Sequence, residues 1–228
     1  MEKLKGREMF QIWPSLISAD LLDLKTVMNR LNNQSYGWHI DIMDNHFVPN
    51  LTWGAQFVNA IAKASPKPLW IHLMIESPER FLERLDIPKN SYITFHVETD
   101  SDINMTIKAI KDHGWQASLA INPETKVDAI APYAHKIDQI LIMSVHPGFS
   151  GQSFITDTLH KIELIKDELK RENVIIPLAI DGGINRENIR TVARLGITQY
   201  AIAAGIFGAS DPAHELDYLK RLLKSAPL

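Results

Sequence analysis

Eight short apolar runs of strand length recur along the chain, and segments with hydrophobic residues at every third or fourth position lie between them. Such alternation is typical of parallel strand–helix–strand units rather than of hairpins. The runs span residues 10–14, 38–43, 69–74, 92–96, 117–121, 139–145, 175–180 and 199–203. They predict an α/β fold whose eight strands either close into a (β/α)8 TIM barrel or lie in an open, doubly wound sheet.

Two segments also carry helix-start signals. Asp20 is predicted to cap the N-terminus of the first helix, because its carboxylate can accept amide hydrogens that have no other partner there. The segment 77–80, with Pro78 at the first helical position, predicts a second helix start. Residues at intervals of three and four predict the apolar face of the first helix: Leu21, Leu24, Val27, Met28 and Leu31.

Composition narrows the classes of protein. The 228 residues contain no Gly/Ser-rich linker, so we expect a single barrel domain over residues 1–228. A formal net charge of −3 argues against a nucleic-acid groove as the main surface. Because the chain has no cysteine, disulfide scaffolds, thiolate zinc sites and cysteine nucleophiles are excluded, and a bound metal must use His, Asp or Glu.

Two segments bear on export and on membranes. Residues 1–10 alternate charged with apolar side chains and lack the apolar stretch of a secretory signal. The longest apolar run, 200–209, is far shorter than the roughly 20 residues that a membrane-spanning helix needs. We therefore expect a soluble, cytoplasmic protein that acts neither on a membrane nor on nucleic acid.

Polar side chains cluster near the carboxyl ends of the predicted strands, where barrel active sites are assembled. His39 and Asp41 are two residues apart, so they face the same side of one strand. His72 lies on the next strand, and Asp181 ends a later one. Two imidazoles and two carboxylates could converge on one divalent ion such as zinc, iron or manganese. Alternatively, each of these residues ends its strand in solvent.

Glycines predict a second feature. The segment 145–152 follows one apolar strand, and Gly182 and Gly183 follow the next. Glycine lets backbone amides approach a ligand closely, so these loops could hold an anion, or they are ordinary tight turns.

Three strand methionines, at positions 43, 74 and 143, are interpreted as core residues when taken singly. His96 and Glu98 either assist polar binding or cap the fourth strand.

Five motifs, in order along the chain, resemble the ribulose-phosphate 3-epimerase family, and the resemblance covers residues 14–208. The first two are Pro14-Ser15-Leu16-Ile17-Ser18-Ala19-Asp20 and His39-Ile40-Asp41-Ile42-Met43-Asp44, the latter followed by His46-Phe47-Val48-Pro49-Asn50. The others are His72-Leu73-Met74, the segment 143–152 (Met143-Ser144-Val145-His146-Pro147-Gly148-Phe149-Ser150-Gly151-Gln152) and Asp181-Gly182-Gly183-Ile184-Asn185. The resemblance implies a TIM barrel of the ribulose-phosphate-binding type.

The same resemblance implies a function. One divalent ion (Zn²⁺, Fe²⁺ or Mn²⁺) would be held by His39, Asp41, His72 and Asp181. Asp41 and Asp181 would act as an acid–base pair that inverts C3 of a 2-ketose phosphate through a metal-stabilised enediolate, with D-ribulose 5-phosphate and D-xylulose 5-phosphate as the default pair. Implied substrate-binding residues are Ser15, Met43, His72, Met74, Met143, Gly148, Phe149, Ser150, Gly151, Gly182, Gly183, Ala204 and Gly205.

Three positions depart from the family pattern. Asn45 stands where Gly is usual, His146 where Asn is usual, and Ala203-Ala204 where Gly-Ser is usual. The last change removes one hydroxyl from the predicted phosphate loop. Two alternatives therefore stay open: an epimerase for D-allulose 6-phosphate, and a non-catalytic barrel that binds a sugar phosphate. We expect a small sugar phosphate as the partner and a homo-oligomer in solution.

Overall fold

Eight parallel strands form one sheet in the computed structural model, which describes residues 9–225. The strands are β1 Gln11–Pro14, β2 Trp38–Met43, β3 Leu69–Met74, β4 Tyr92–His96, β5 Gln116–Ile121, β6 Gln139–Met143, β7 Leu178–Asp181 and β8 Gln199–Ile202. Their order in the sheet is β1-β8-β7-β6-β5-β4-β3-β2. Neighbours in sequence are thus neighbours in space, as expected when each crossover returns to the adjacent position.

The sheet closes on itself between its first and last members. β1 pairs in parallel with β8, from Gln11 opposite Gln199 to Pro14 opposite Ile202. On its other side, one parallel bridge joins Ser15, directly after β1, to His39 in β2. The (β/α)8 barrel is therefore confirmed, and the open doubly wound sheet is excluded.

Helices surround the barrel in most of the connections. They are α1 Leu24–Leu31, α2 Ala55–Ala64, α3 Glu79–Leu82, α4 Ile103–Asp112, α5 Thr158–Arg171, α6 Ile189–Arg194, α7 Ala204–Phe207 and α8 Pro212–Lys224. The connection from β5 to β6 instead uses two short 3-10 turns, Val127–Ala129 and Ala131–Tyr133, and two helices follow β8. Within residues 9–225, no helix combines the length and the apolar character needed to cross a membrane.

Some predicted boundaries were wrong. Asp20 does not cap α1: its carboxylate accepts from the amide of Leu22 in a turn. The helix begins at Leu24, so Asp23 and not Asp20 stands at the cap position. β7 begins at Leu178 rather than at 175, because Ile175 is 94% exposed and has no strand partner to pack against. Pro78 lies at the cap of α3, one residue before the helix starts.

The predicted lack of a secretory signal concerns residues 1–10, most of which lie outside the described range.

The barrel interior is filled by aromatic and polar layers that support the upper end. Trp13, Trp70 and Tyr92 pack together inside it, with ring centroids 5.7 to 6.4 Å apart. His39 stands on this layer, its ring perpendicular to that of Trp70 at 5.0 Å. The alternate residues of β2, such as Ile40, pack outwards in the main hydrophobic core. The strand period therefore presents His39 and Asp41 to the interior, above a rigid aromatic floor.

Candidate active site

Four titratable side chains meet at the carboxyl end of the barrel. His39 and Asp41 come from β2, and His72 lies opposite Asp41 in the register of β3. Asp181 reaches the same point from the end of β7. Each of the four offers a ligand atom, and these atoms all lie within 4.8 Å of one another.

The contacts within this cluster are close. His72 Nδ1 lies 3.2 Å from Asp41 Oδ1 and 3.4 Å from Asp181 Oδ2. His39 Nε2 lies 3.8 Å from Asp181 Oδ2. Ser15 donates its hydroxyl to Asp41 Oδ2 at 2.7 Å, and the Ser15 Oγ also lies 3.0 Å from His39 Nδ1. The bridge that closes the barrel thus also positions one of the carboxylates.

The donor set fits a divalent metal ion. His39 Nε2 is buried and has no hydrogen-bond partner among the described residues, although a buried polar atom left unpaired costs about 1–3 kcal/mol. It points into a group of one further imidazole and two carboxylates. Two nitrogen and two carboxylate donors suit zinc, iron(II) or manganese(II). The four residues could therefore hold one such ion.

The charges of the cluster support one another. Burial disfavours the charged form of Asp41, but the neighbouring His39 and His72 outweigh it and hold the pKa of this carboxyl well below its usual range. Burial likewise lowers the pKa of His72, yet the hydrogen bonds to Asp181 and Asp41 prevail and raise that pKa to about 9. Without a metal, the cluster therefore carries a protonated His72 beside an ionised Asp41 at neutral pH.

This balance predicts a pH-dependent stability. In chelator-treated protein, the folded state holds the His72 proton with a pKa of about 9, against an ordinary value of 6.5 in the unfolded chain. The stabilisation is therefore complete below about pH 6.5 and is lost as the pH rises through about 9. Urea unfolding at several pH values should show the free energy of unfolding fall over this window. The variant His72→Gln should lack that part of the slope, and equal slopes would contradict the assignment.

A cavity of about 650 Å³ opens above the cluster. Most of the residues predicted to act on a substrate line it: Ser15, Asp41, Met43, Met74, Met143, Gly148, Phe149, Ser150, Gly151, Asp181, Gly182, Gly183, Ala204 and Gly205. His39 and His72 are fully buried behind the carboxylates and do not line it. The structure thus places the two histidines behind the residues that line the cavity, including His72, for which substrate contact was predicted.

The three methionines form apolar walls. Met43 and Met74 pack with Val48, and Met143 belongs to the aromatic cluster inside the barrel. All three are nearly buried, with 2–4% of their surface exposed, and still line the cavity. The structural role expected for each methionine singly and the cavity-lining role implied by the family resemblance are therefore compatible.

Part of the cavity is lined by loops that depend on glycine. Gly182 and Gly183 have φ angles of 119° and 63°, which L side chains rarely adopt. A Cβ at Gly182 would lie 2.8 Å from the amide nitrogen of Val145, and one at Gly183 would lie 2.6 Å from that of Phe154. The loops after β6 and β7, which both line the cavity, therefore pack backbone against backbone.

The loop after β6 is also tied to two other loops. The hydroxyls of Ser150 and Ser18 lie 2.6 Å apart, and Asn50 donates to the carbonyl of Gly148 at 2.7 Å. These bonds join the loops after β1, β2 and β6 around the mouth of the cavity. Phe149, which is 55% exposed, stands at its rim.

Two of the unusual residues have a structural explanation. Asn45 has a φ of 61°, a left-handed conformation that Gly adopts freely and Asn tolerates better than most residues. Asn can therefore replace Gly in this turn. His146 is exposed, and its Nε2 lies 3.4 Å from a carboxylate oxygen of Glu124. Nothing in the structure explains Ala203-Ala204, which simply line the cavity without a hydroxyl.

Some cavity residues were not singled out from the sequence. Glu187 and Asn188 line the cavity from the loop after β7, and Asn188 also donates to the carbonyl of Gly183. The sequence feature that could have identified them is their position shortly after the Asp181-Gly182-Gly183 motif. His96, which was left undecided, is the last residue of β4 and lies behind the cluster, 2.9 Å from His72.

Several enzymes of known structure have a similar barrel fold. A 3-hexulose-6-phosphate synthase from Salmonella typhimurium superimposes with a TM-score of 0.66 and 18% identity, covering 96% of this chain and 100% of that one. KGPDC from Streptococcus mutans gives 0.70 and 13%, covering 96% and 99%. At these identities the likeness shows the fold alone.

Sequence comparisons are more specific. A ribulose-phosphate 3-epimerase of Aquifex aeolicus is 38% identical over 188 residues, covering 82% of this chain and 85% of that protein. The Serratia marcescens protein of that name is 38% identical over 204 residues, covering 89% and 97%. The one from Escherichia coli K12 is 33% identical over 213 residues, covering 92% and 95%. The model of the Ribulose-phosphate 3 epimerase family matches residues 11–207, so the chain belongs to this family and is a carbohydrate isomerase.

Proposed function

We propose that the chain inverts C3 of D-ribulose 5-phosphate to form D-xylulose 5-phosphate, and the reverse. The observation that carries this proposal is the convergence of Asp41 and Asp181, from different strands, in a cavity that glycine loops also line. Relatives named ribulose-phosphate 3-epimerase support the same reaction. A small sugar phosphate as substrate, a cytoplasmic location and a homo-oligomeric state belong to the same proposal.

The reaction needs two proton-transfer groups. The hydrogen on C3 is weakly acidic because C2 is a ketone, and its removal leaves a planar centre. Return of a proton from the opposite face inverts that centre, so one group is needed on each face. Asp41 and Asp181 are carboxylates that approach His72 Nδ1 from two strands, at 3.2 and 3.4 Å. We assign one to removal of the proton and the other to its delivery.

The metal contributes charge stabilisation. An ion held by His39, Asp41, His72 and Asp181 would stabilise the negative charge that develops on the C2 oxygen as the proton leaves. Ser15 keeps one oxygen of Asp41 hydrogen-bonded and so fixes the direction of this carboxylate. The buried methionine walls limit the access of water to the reacting carbon.

The phosphate is assigned to the glycine loops. Gly182, Gly183, Ala204 and Gly205 line the cavity, together with the loop 148–151. Successive backbone amides in such turns bind anions. Because Ala204 has no hydroxyl, this group of residues offers one donor fewer than the family pattern. That observation favours a second candidate substrate, D-allulose 6-phosphate, whose longer chain would place its phosphate differently.

Turnover of the two ketose phosphates tests the proposal. We expect a higher kcat/KM for D-ribulose 5-phosphate than for D-allulose 6-phosphate. The variant Ala204→Ser restores a hydroxyl, and a hydrogen bond to a charged group is worth about 1.5–3 kcal/mol, or roughly ten- to a hundredfold in binding. The KM for D-ribulose 5-phosphate should therefore fall at least several-fold, with kcat little changed, as for an interaction made equally in ground and transition states.

Ala209→Ser is the matched control, since Ala209 is near the same loop but does not line the cavity. It should leave both constants unchanged. If the unaltered chain prefers D-allulose 6-phosphate, and Ala204→Ser does not lower the KM for D-ribulose 5-phosphate, the hexulose phosphate is the natural substrate. Absence of turnover with both substrates, in protein with bound metal, would leave only a binding role.

A further inference from the structure

Two polar residues behind the cluster form a chain of hydrogen bonds that ends on His72. His72 Nε2 lies 2.9 Å from His96 Nε2, and His96 Nδ1 lies 3.1 Å from Glu98 Oε2. His72 and His96 are both buried, and Glu98 is partly buried at the end of the chain. Neither His96 nor Glu98 lines the cavity, so neither can touch a substrate there.

Binding of a metal ion through His72 requires this ring to be neutral, and with both rings neutral only one arrangement of protons satisfies the chain. A neutral imidazole donates from one nitrogen and accepts at the other. The Glu98 carboxylate can only accept, so His96 must carry its proton on Nδ1 and present a lone pair at Nε2. His72 must then donate from Nε2, which leaves its Nδ1 free of a proton. That Nδ1 is the atom that faces Asp41 and Asp181.

We propose that His96 and Glu98 are positioning residues that hold His72 in the tautomer able to bind a metal ion through Nδ1. The inference rests on the metal site proposed above and deepens it. With the opposite arrangement, the lone pair of His96 Nδ1 would face the Glu98 carboxylate, and His72 Nδ1 would carry a hydrogen. Two acceptors would then oppose each other in a buried place, and His72 would offer no ligand atom.

The far end of the chain is anchored to the connection after β5. Glu98 Oε1 accepts from the amide of Asn122 at 2.8 Å. The Lys161 ammonium, from α5, donates to the carbonyls of Asn122, Pro123 and Thr125 at 2.5 to 2.7 Å. A carboxylate held at both oxygens keeps its orientation, so the proton order of the chain is set from outside the site.

The affinity for zinc alone tests the positioning role. Partners that orient a metal-binding histidine typically contribute 10–100-fold to metal affinity. We expect His96→Leu, which removes the acceptor for His72 Nε2, to weaken zinc binding about 10–100-fold in a competition titration with a chromophoric chelator. Glu98→Gln should weaken it about tenfold, because an amide tolerates either proton order. His96→Gln, which keeps an acceptor oxygen, should bind zinc within a few-fold of the unaltered chain.

Thr94→Val is the matched control. Thr94 is buried two residues earlier on β4 and accepts from the Trp70 indole at 2.7 Å, so its loss also leaves a buried polar atom unpaired. Its unfolding temperature should fall, with zinc affinity unchanged. Equal zinc affinity in His96→Leu and the unaltered chain would overturn the positioning role, as would equal losses in His96→Leu and Thr94→Val. An unaltered chain that binds no zinc would instead refute the metal site itself.

Discussion

Replacing either Asp41 or Asp181 with Asn should lower the rate of net epimerisation by about a thousandfold or more. Each carboxylate is assigned to one face of C3, and general acid–base groups are typically worth 10²- to 10⁴-fold. The substitution keeps the size of the side chain but removes its ability to take up a proton. Because inversion needs both faces, loss of either group should stop the net reaction rather than halve it.

Steady-state conversion, with the bound metal quantified in each preparation, measures this effect. Both aspartates also belong to the proposed ion site, so a loss of metal must be separated from a loss of the base. With metal bound, a variant that keeps one base should still exchange solvent deuterium into one epimer alone. Asp138→Asn, at the opposite end of the barrel before β6, is the control and should react normally. Near-normal epimerisation in Asp41→Asn or Asp181→Asn would show that two bases are not used.

Removal of the metal should abolish turnover while the barrel stays folded. The four proposed ligands lie on three strands of a sheet that is closed by its own hydrogen bonds, so the fold does not depend on the ion. Zinc, iron(II) or manganese(II) should restore activity, and magnesium should do so poorly, because two imidazole donors favour the softer ions over magnesium. Activity after dialysis against a chelator and re-addition of each ion provides the measurement, with circular dichroism as the check on folding.

A pair of histidine variants controls this experiment. His39→Gln removes the one ligand nitrogen that has no hydrogen-bond partner among the described residues, and the bound metal per chain should drop sharply. His135→Gln alters an exposed histidine near Glu172 and should leave the metal content unchanged. Full activity in protein shown to be free of metal would refute the proposed chemistry.

Local patterns in the sequence were sufficient for the strands and for much of the site. Strand β2 was predicted with its observed bounds from the short run of strand length at residues 38–43. A side-chain period of two places His39 and Asp41 on one face of this strand. The motif after β7 indicated a glycine turn, which the positive φ angles of Gly182 and Gly183 require. These features depend on neighbours along the chain, so a single sequence is enough to reveal them.

Tertiary structure alone decided how these pieces meet. Whether eight strands close or stay open depends on the pairing of β1 with β8 and on the bridge from Ser15 to His39, both of which join residues distant in sequence. The approach of Asp181 to His72 follows from that closure. The contact of His96 with the far side of the same ring follows from the register of β3 against β4. Strand period and side-chain propensity act over a few residues, whereas strand register and barrel closure set the distances across the site.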